Sequence, residues 1–253
     1  MSKLLVIGAS GSLGSHVVQQ AVAANHEVSV IVRTPAKLPA GIRDKVSVSQ
    51  ADLHLISAPD LAALLQGHDA VINTAGLVTE GQTFVDLVNR VVTALELLPP
   101  EGRPVCWFMA GAGLLEIDDS GRRGVDLPRV GATYWPHRVN FERIRGTTLD
   151  WRILCPGPMV DQPALGLTAM RTSVECLPVP VPALARALPG ALFLPVLAWL
   201  IPQMIVPYAD AATLMLANLA PDGPMSRHRV GLALPVGLRG KKKQWAAQAK
   251  KAD

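Results

Sequence analysis

The chain opens on a short, almost wholly apolar run at 3–7 (Lys-Leu-Leu-Val-Ile) that stops at Gly8. Such a run, with no polar alternation, suits a parallel strand buried on both faces. Residues 13–24, rich in Ala, Val and Gln, read as a helix, and the β-branched run 27–32 as a second strand. The alternation continues with a strand at 46–49, a helix at 59–66 with Pro59 at its start, and a strand at 70–73. A helix at 84–98 is stopped by Pro99 and Pro100; a strand follows at 105–109, a helix covers 139–145, and a strand occupies 151–154. Strands alternating with helices imply right-handed crossovers and an α/β fold: a Rossmann-like, doubly wound parallel sheet.

Beyond Pro156 the pattern changes. Prolines become dense (Pro178, Pro180, Pro182, Pro189, Pro195, Pro202, Pro207). We expect one domain over 1–253, in which 157–238 form a small C-terminal lid or substrate-covering region at the sheet edge and 239–253 a basic tail. Ligands of open α/β sheets bind at the carboxyl ends of the strands, so such a region would cover the site. Residues 187–209 hold no charged side chain, but four prolines interrupt them, against a single spanning helix. A buried apolar lid is the expectation, with interfacial membrane contact as the lesser reading. The tail, Arg239 with Lys241–Lys243 and Lys250–Lys251, reads as a solvated end that an anionic membrane would also attract.

Length and charge narrow the partners. The 253 residues can bury one large core. The net charge of +4 is partly concentrated in the tail and aromatics make up 4%, which argues against a nucleic-acid surface. Three scattered cysteines (Cys106, Cys155, Cys176), with no Cys-x-x-Cys, suggest neither disulfides nor a zinc site and fit a reduced, cytoplasmic compartment. The N-terminal apolar run is too short for a secretion signal. No metal-ligand cluster, nucleophile elbow or Walker lysine is found; the oligomeric state is not legible.

The strongest chemical signal is Gly8-Ala9-Ser10-Gly11-Ser12-Leu13-Gly14, between the first strand and the first helix. A pyrophosphate needs backbone N–H groups, which a helix N-terminus supplies with a favourable dipole. Glycine permits the close approach, and the third glycine lets helix and strand pack tightly. The spacing is G-x-x-G-x-x-G, not the common G-x-G-x-x-G, and the ordinary alternative is a plain strand-to-helix turn. The second strand points to the dinucleotide. It ends Val32-Arg33-Thr34, without the carboxylate that holds a ribose 2′-hydroxyl, and Arg33, with Lys37 nearby, suits a 2′-phosphate. NADP(H) is therefore expected ahead of NAD(H); the alternative for Arg33 is a solvated surface arginine.

These residues resemble the atypical short-chain dehydrogenase/reductase superfamily, in particular its NAD(P)H-binding, NmrA-like and biliverdin/flavin-reductase-like members. The resemblance covers 1 to about 161 well and the rest weakly. It implies that Asp52 and Leu53, in Ala51-Asp52-Leu53, meet the adenine; a loop-capping Asp is the alternative. It likewise implies that Asn73-Thr74-Ala75-Gly76 lies beside the adenine ribose, Asn73, Ala75 and Gly76 being the contacts. Leu149-Asp150-Trp151-Arg152-Ile153-Leu154-Cys155-Pro156-Gly157 is similar to the family segment whose following loop passes the nicotinamide, which brings in Pro156. Val206-Pro207-Tyr208-Ala209-Asp210-Ala211-Ala212 is similar to the family's C-terminal helix start.

The resemblance also implies a Tyr-x-x-x-Lys proton donor. Here the stretch is Tyr134-Trp135-Pro136-His137-Arg138, with arginine for lysine. Arginine keeps the cation that stabilises a phenolate but not the compact ammonium geometry. Tyr134 and Arg138 are the candidate catalytic pair; a surface tyrosine before a helix is the alternative. His137 is a lesser candidate acid against a structural histidine. The fifth strand ends Met109-Ala110-Gly111, lacking the family's serine, and a missing donor costs on the order of 100-fold in rate where a carbonyl is reduced. Two functions stand: an NADP(H)-dependent reductase of a small apolar or aromatic acceptor, and a non-catalytic NAD(P)-sensing or protein-binding regulator of the NmrA-like kind.

Overall fold

A computed structural model describes residues 1–241; the lysines of the tail from Lys242 onward lie outside the described residues. The strands are β1 (Lys3–Ile7), β2 (Glu27–Val32), β3 (Ser47–Gln50), β4 (Ala70–Asn73), β5 (Val105–Met109), β6 (Trp151–Pro156), β7 (Met159–Val160), β8 (Arg171–Val174), β9 (Val206–Pro207) and β10 (His228–Ala233). The α-helices are α1 (Ser12–Ala23), α2 (Ala40–Arg43), α3 (Ala58–Leu65), α4 (Gln82–Glu96), α5 (Pro128–Arg145), α6 (Ala183–Arg186), α7 (Gly190–Leu200) and α8 (Tyr208–Leu216).

Eight strands form one sheet in the order β3-β2-β1-β4-β5-β6-β10-β8. All neighbours pair in parallel except β8, which closes the edge antiparallel to β10. The chain reverses its winding between β1 and β4, and that switch point opens a crevice at the carboxyl ends of the strands. The expected α/β, doubly wound parallel sheet is what the chain forms. Its apolar strands are covered on both sides. One cluster packs α3, α4 and α5 against Leu5, Ile7 and Phe108; the other packs α1 and α8 against Leu4, Val6 and Trp107.

Residues 157–238 do two things. β10 and β8 extend the main sheet, while β7 and β9 form a two-stranded parallel ladder beside it. A third cluster, including Phe193, Leu200 and Met204, seats α6 and α7. Four of the prolines set element starts here: Pro182 precedes α6, Pro189 precedes α7, Pro202 opens a 3-10 turn and Pro207 precedes α8. The expectation of a buried apolar lid needs correction. Phe193 and Leu200 point inward, but Leu192 and Trp199 on the other side of α7 are 62% and 53% exposed. The helix is apolar all round and only one side of it meets the core.

Asp210 holds this region in place. It is fully buried, and its carboxylate accepts the backbone N–H groups of Leu165 (2.9 Å) and Gly166 (2.8 Å). α8 is tied to α1 as well: Gln20 donates to the Ala209 carbonyl (2.8 Å), and Thr213 donates to Gln20 (2.9 Å). Removing the Asp210 carboxylate takes away the partner of both N–H groups at once and leaves a gap at a fully buried position. Asp210→Ala is expected to lower unfolding free energy by ~2–4 kcal/mol in urea titrations, and a loss below about 1 kcal/mol would show that the loop is not held this way.

Candidate functional site

The crevice at the switch point begins with the turn 8–14. Gly8 has φ +82°, a region that costs side-chain-bearing residues, and a Cβ there would sit 2.8 Å from the Ala75 nitrogen. A Cβ on Gly14 would overlap the Gly8 carbonyl oxygen. A Cβ on Gly11 would meet only that same oxygen at 3.2 Å and would otherwise face open space. So Gly8 and Gly14 are required by packing, whereas Gly11 keeps a surface bare. α1 starts at Ser12 with no side-chain cap and no acidic residue in its first turn. The first N–H groups of a helix have no intrahelical partner, and here nothing in the protein's side chains takes them. That is the cradle a pyrophosphate requires.

A cleft of about 790 Å³ runs across the carboxyl ends of the strands. Its lining includes Gly8, Ser10, Gly11, Ser12, Leu13, Arg33, Asp52, Leu53, Ala75 and Gly76 from the sequence-predicted set. Gly14 lies behind the turn, in contact with Gly8. Asn73 is buried, and its Oδ1 accepts the Ala75 N–H (3.1 Å), so it shapes the wall without facing the cleft. Asp52 lines the cleft and also accepts the His54 N–H (2.9 Å), closing its own turn. Pro156 ends β6 and is buried; Met159, three residues on, reaches the lining instead.

Tyr134 and Arg138 are exposed, and neither lines the cleft. The cause is local. α5 spans Pro128–Arg145, so it contains the expected helical stretch 139–145, and Pro136 stands inside it. Proline cannot donate to the carbonyl four residues back and clashes with it, so the helix kinks. Tyr134 absorbs the kink at φ −107°, ψ +19°. The lining residue from this helix is His137. It is buried, stacks on Tyr134 (centroids 6.0 Å apart, planes within 9°), and meets Phe84 edge-on at 5.9 Å. Burial pushes its pKa down to about 4, so it is neutral at neutral pH, and its Nδ1 has no hydrogen-bond partner.

Other lining residues were not picked out in the sequence. Thr74 donates to the Ile7 carbonyl (2.8 Å) and so ties β4 to the glycine turn. Tyr208 comes from the C-terminal region and stacks on His16 of α1 (5.9 Å). Both sat inside motifs already singled out, but Tyr208 reaches the cleft only through tertiary contacts. Asp150 is structural: it accepts from Ser226 Oγ (2.6 Å) and the Asp222 N–H (2.9 Å). Cys106 and Cys155 are buried, and burial pushes both thiols up, away from nucleophilic thiolate. Among the described residues no group of side chains is arranged to hold a metal, and no helix is long and apolar enough to cross a membrane.

A family model described as NAD(P)H-binding matches residues 8–188. The chain belongs to this NAD(P)H-binding family. The match begins at Gly8, so it includes the glycine turn and the switch-point cleft. Among curated proteins the chain is 27% identical over 165 residues to the uncharacterized protein YwnB of Bacillus subtilis, covering 63% of this chain and 73% of that one. Solved structures of similar fold include ChuY, an anaerobillin reductase from Escherichia coli O157:H7. It is 18% identical with a TM-score of 0.62, over 95% of this chain and all of ChuY (100%). A Rossmann-fold NAD(P)-binding family protein from Shigella flexneri superposes with a TM-score of 0.64 at 17% identity, over 95% of this chain and 97% of that one.

The glycines of the family's turn should separate by role. Gly11→Val is expected to stay folded by circular dichroism yet lose NADPH binding by fluorescence titration, since its side chain enters the cradle. Gly14→Ala should instead lower stability, by ~2 kcal/mol or more, because its Cβ meets backbone that cannot swing away. A folded Gly11→Val that binds like the wild type would overturn the assignment of the cradle.

Proposed function

We propose that the protein is an NADPH-dependent reductase of a small apolar or aromatic acceptor. The carrying observation is the contrast between the two ends of the cleft. At the β2 end the lining cations are Arg33 and Lys37, and no carboxylate follows the strand. A guanidinium takes a 2′-phosphate through paired charge-assisted bonds. At the β5–β6 end the lining is Met109, Ala110 and Met159, with His137 and Tyr208 as its polar groups. This favours an acceptor with an apolar body and few hydrogen-bonding needs.

The Ser12, Leu13 and Gly14 N–H groups would hold the pyrophosphate, and Arg33 the 2′-phosphate. A nicotinamide nucleotide bound in this way supplies a hydride. The protein orients the acceptor, excludes water with its methionines and offers one donor. We assign that donor role to His137 in place of the Tyr134–Arg138 pair that the resemblance implies. A neutral imidazole carries one N–H and polarises an acceptor without placing a full charge in an apolar pocket. Tyr134, stacked on the ring, then acts as a positioning residue. A second reading, a non-catalytic NAD(P)-binding regulator, draws its support from Ala110 standing where the family's serine would be and from the exposed Arg138.

Two measurements test the reductase reading. Calorimetry should show NADPH binding more tightly than NADH, with Arg33→Ala weakening NADPH about tenfold or more and NADH little. Equal dissociation constants in the wild type would sink the cofactor choice. NADPH oxidation should then be screened against quinones, flavins and aldehydes. With an active acceptor, His137→Gln should lower turnover on the order of 100-fold at nearly constant cofactor affinity, while Tyr134→Phe has a small effect. The opposite ranking would return the donor role to Tyr134. No turnover of any acceptor, with tight NADPH binding, would favour the regulator.

A further inference from the structure

The outer side of the C-terminal region carries an apolar face that the cleft does not use. In α7 the exposed positions are Ala191, Leu192, Pro195, Ala198 and Trp199, a stripe at helical spacing without a polar member. Around it, Leu184 of α6 is 91% exposed and Val236 is 84% exposed. The opposite side of α7 is pinned, so this is not a loosely seated helix. Arg122 donates to the carbonyls of Leu188 (2.7 Å) and Arg186 (2.8 Å), and its guanidinium lies 5.2 Å over the Phe193 ring. Turning the stripe inward would break these contacts.

Cations flank the stripe in the chain on either side. Arg239 lies 5.1 Å over the exposed Trp199 ring and donates to the Trp199 carbonyl (2.6 Å). Lys241, Lys242 and Lys243 follow it directly in sequence. No aspartate or glutamate occurs in 176–209 or in 223–252. An exposed aliphatic stripe with a tryptophan at its margin and arginine and lysine beside it has the chemistry of a bilayer interface. At 11 residues α7 is about 16 Å long, roughly half of what a span needs, so it would lie in the interface plane.

We propose that this face docks the protein peripherally on an anionic lipid surface, with the α7 stripe entering the headgroup boundary and Arg239 and Lys241 meeting lipid phosphates. A second copy of the chain fits less well. A two-fold contact through α7 would bring Arg239 beside Trp199 in both copies together, and like charges there repel. The cleft gains a purpose from the attachment. β9, directly after the α7 region, pairs with β7 in the register Met159↔Val206, and Met159 lines the apolar end of the cleft. An acceptor dissolved in the bilayer would thus be delivered beside that end.

Co-sedimentation of the full chain with vesicles tests this independently of any turnover. The chain should pellet with phosphatidylcholine–phosphatidylglycerol vesicles, stay in solution with phosphatidylcholine alone, and be released by high salt. The double variant Leu192→Glu/Trp199→Glu, altering exposed positions, should bind NADPH as the wild type does yet partition at least tenfold less. Reversing Lys241, Lys242 and Lys243 to glutamate should cost on the order of 100-fold, at about fivefold per cation near an anionic surface. Failure to pellet with the anionic vesicles overturns the proposal, as does undiminished binding by both variants. So does a wild-type dimer in sedimentation equilibrium that the double variant dissolves without any vesicle binding, which would give the face to a second copy.

Discussion

The approach of α1 to the end of β1 is the constraint on which the site depends. With no Cβ at Gly14, the helix backbone comes against the Gly8 carbonyl, and Gly8 itself turns at a positive φ beside Ala75. That contact sets where the helix N-terminus points. It also sets the distance between the first and fourth strands at the switch point, because Thr74 bonds to the Ile7 carbonyl across the same gap. Two uncompensated backbone demands, the uncapped N–H groups and the bare Gly11 surface, follow from that geometry and are met by a phosphate-bearing ligand. The favourable dipole is thus a by-product of tight packing.

The C-terminal region depends on the same helix from the other side. Gln20 and His16 of α1 reach Ala209, Thr213 and Tyr208, and the buried Asp210 then fixes the loop around Gly166. On the proposed reading, one helix therefore offers its first turn to the nucleotide and its flank to the C-terminal region that carries Tyr208 into the cleft. A displacement of α1 would be felt at both ends of the cleft.

What was legible in the residues was local. Strand–turn–helix at 3–24 announces itself because β1 has no polar positions and the glycines fall at the junction. Arg33 stands where a carboxylate would be diagnostic, so its presence is informative without any tertiary knowledge. The Tyr-x-x-x-Lys register was different. Spacing in sequence becomes spacing on a face only if the helix is regular, and Pro136 with the Tyr134 kink changes the phase so that His137 turns to the cleft. α7 was illegible for the opposite reason: it is apolar on every side, so no periodicity marks the half that meets the core. β8 escaped notice because an edge strand of Arg, Thr, Ser and Val lacks the apolar run by which buried strands are read; β10, apolar from Val230 onward and buried between β6 and β8, carried that signal and was passed over.

The two unusual substitutions of this chain are easier to understand together than apart. On the proposed reading, the acceptor end lacks a hydroxyl after β5, Arg138 stands exposed outside the cleft, and Met109 and Met159 give that end an apolar lining. A carbonyl substrate in water would lose stabilisation by every one of these changes. An acceptor whose reduced form delocalises its charge over an aromatic ring needs less such help, and it gains from an apolar wall and from being drawn out of lipid. If both proposals hold, the apolar lining of the cleft and the apolar outer face of α7 have one explanation: an acceptor that partitions into lipid would suit the first and be reached through the second.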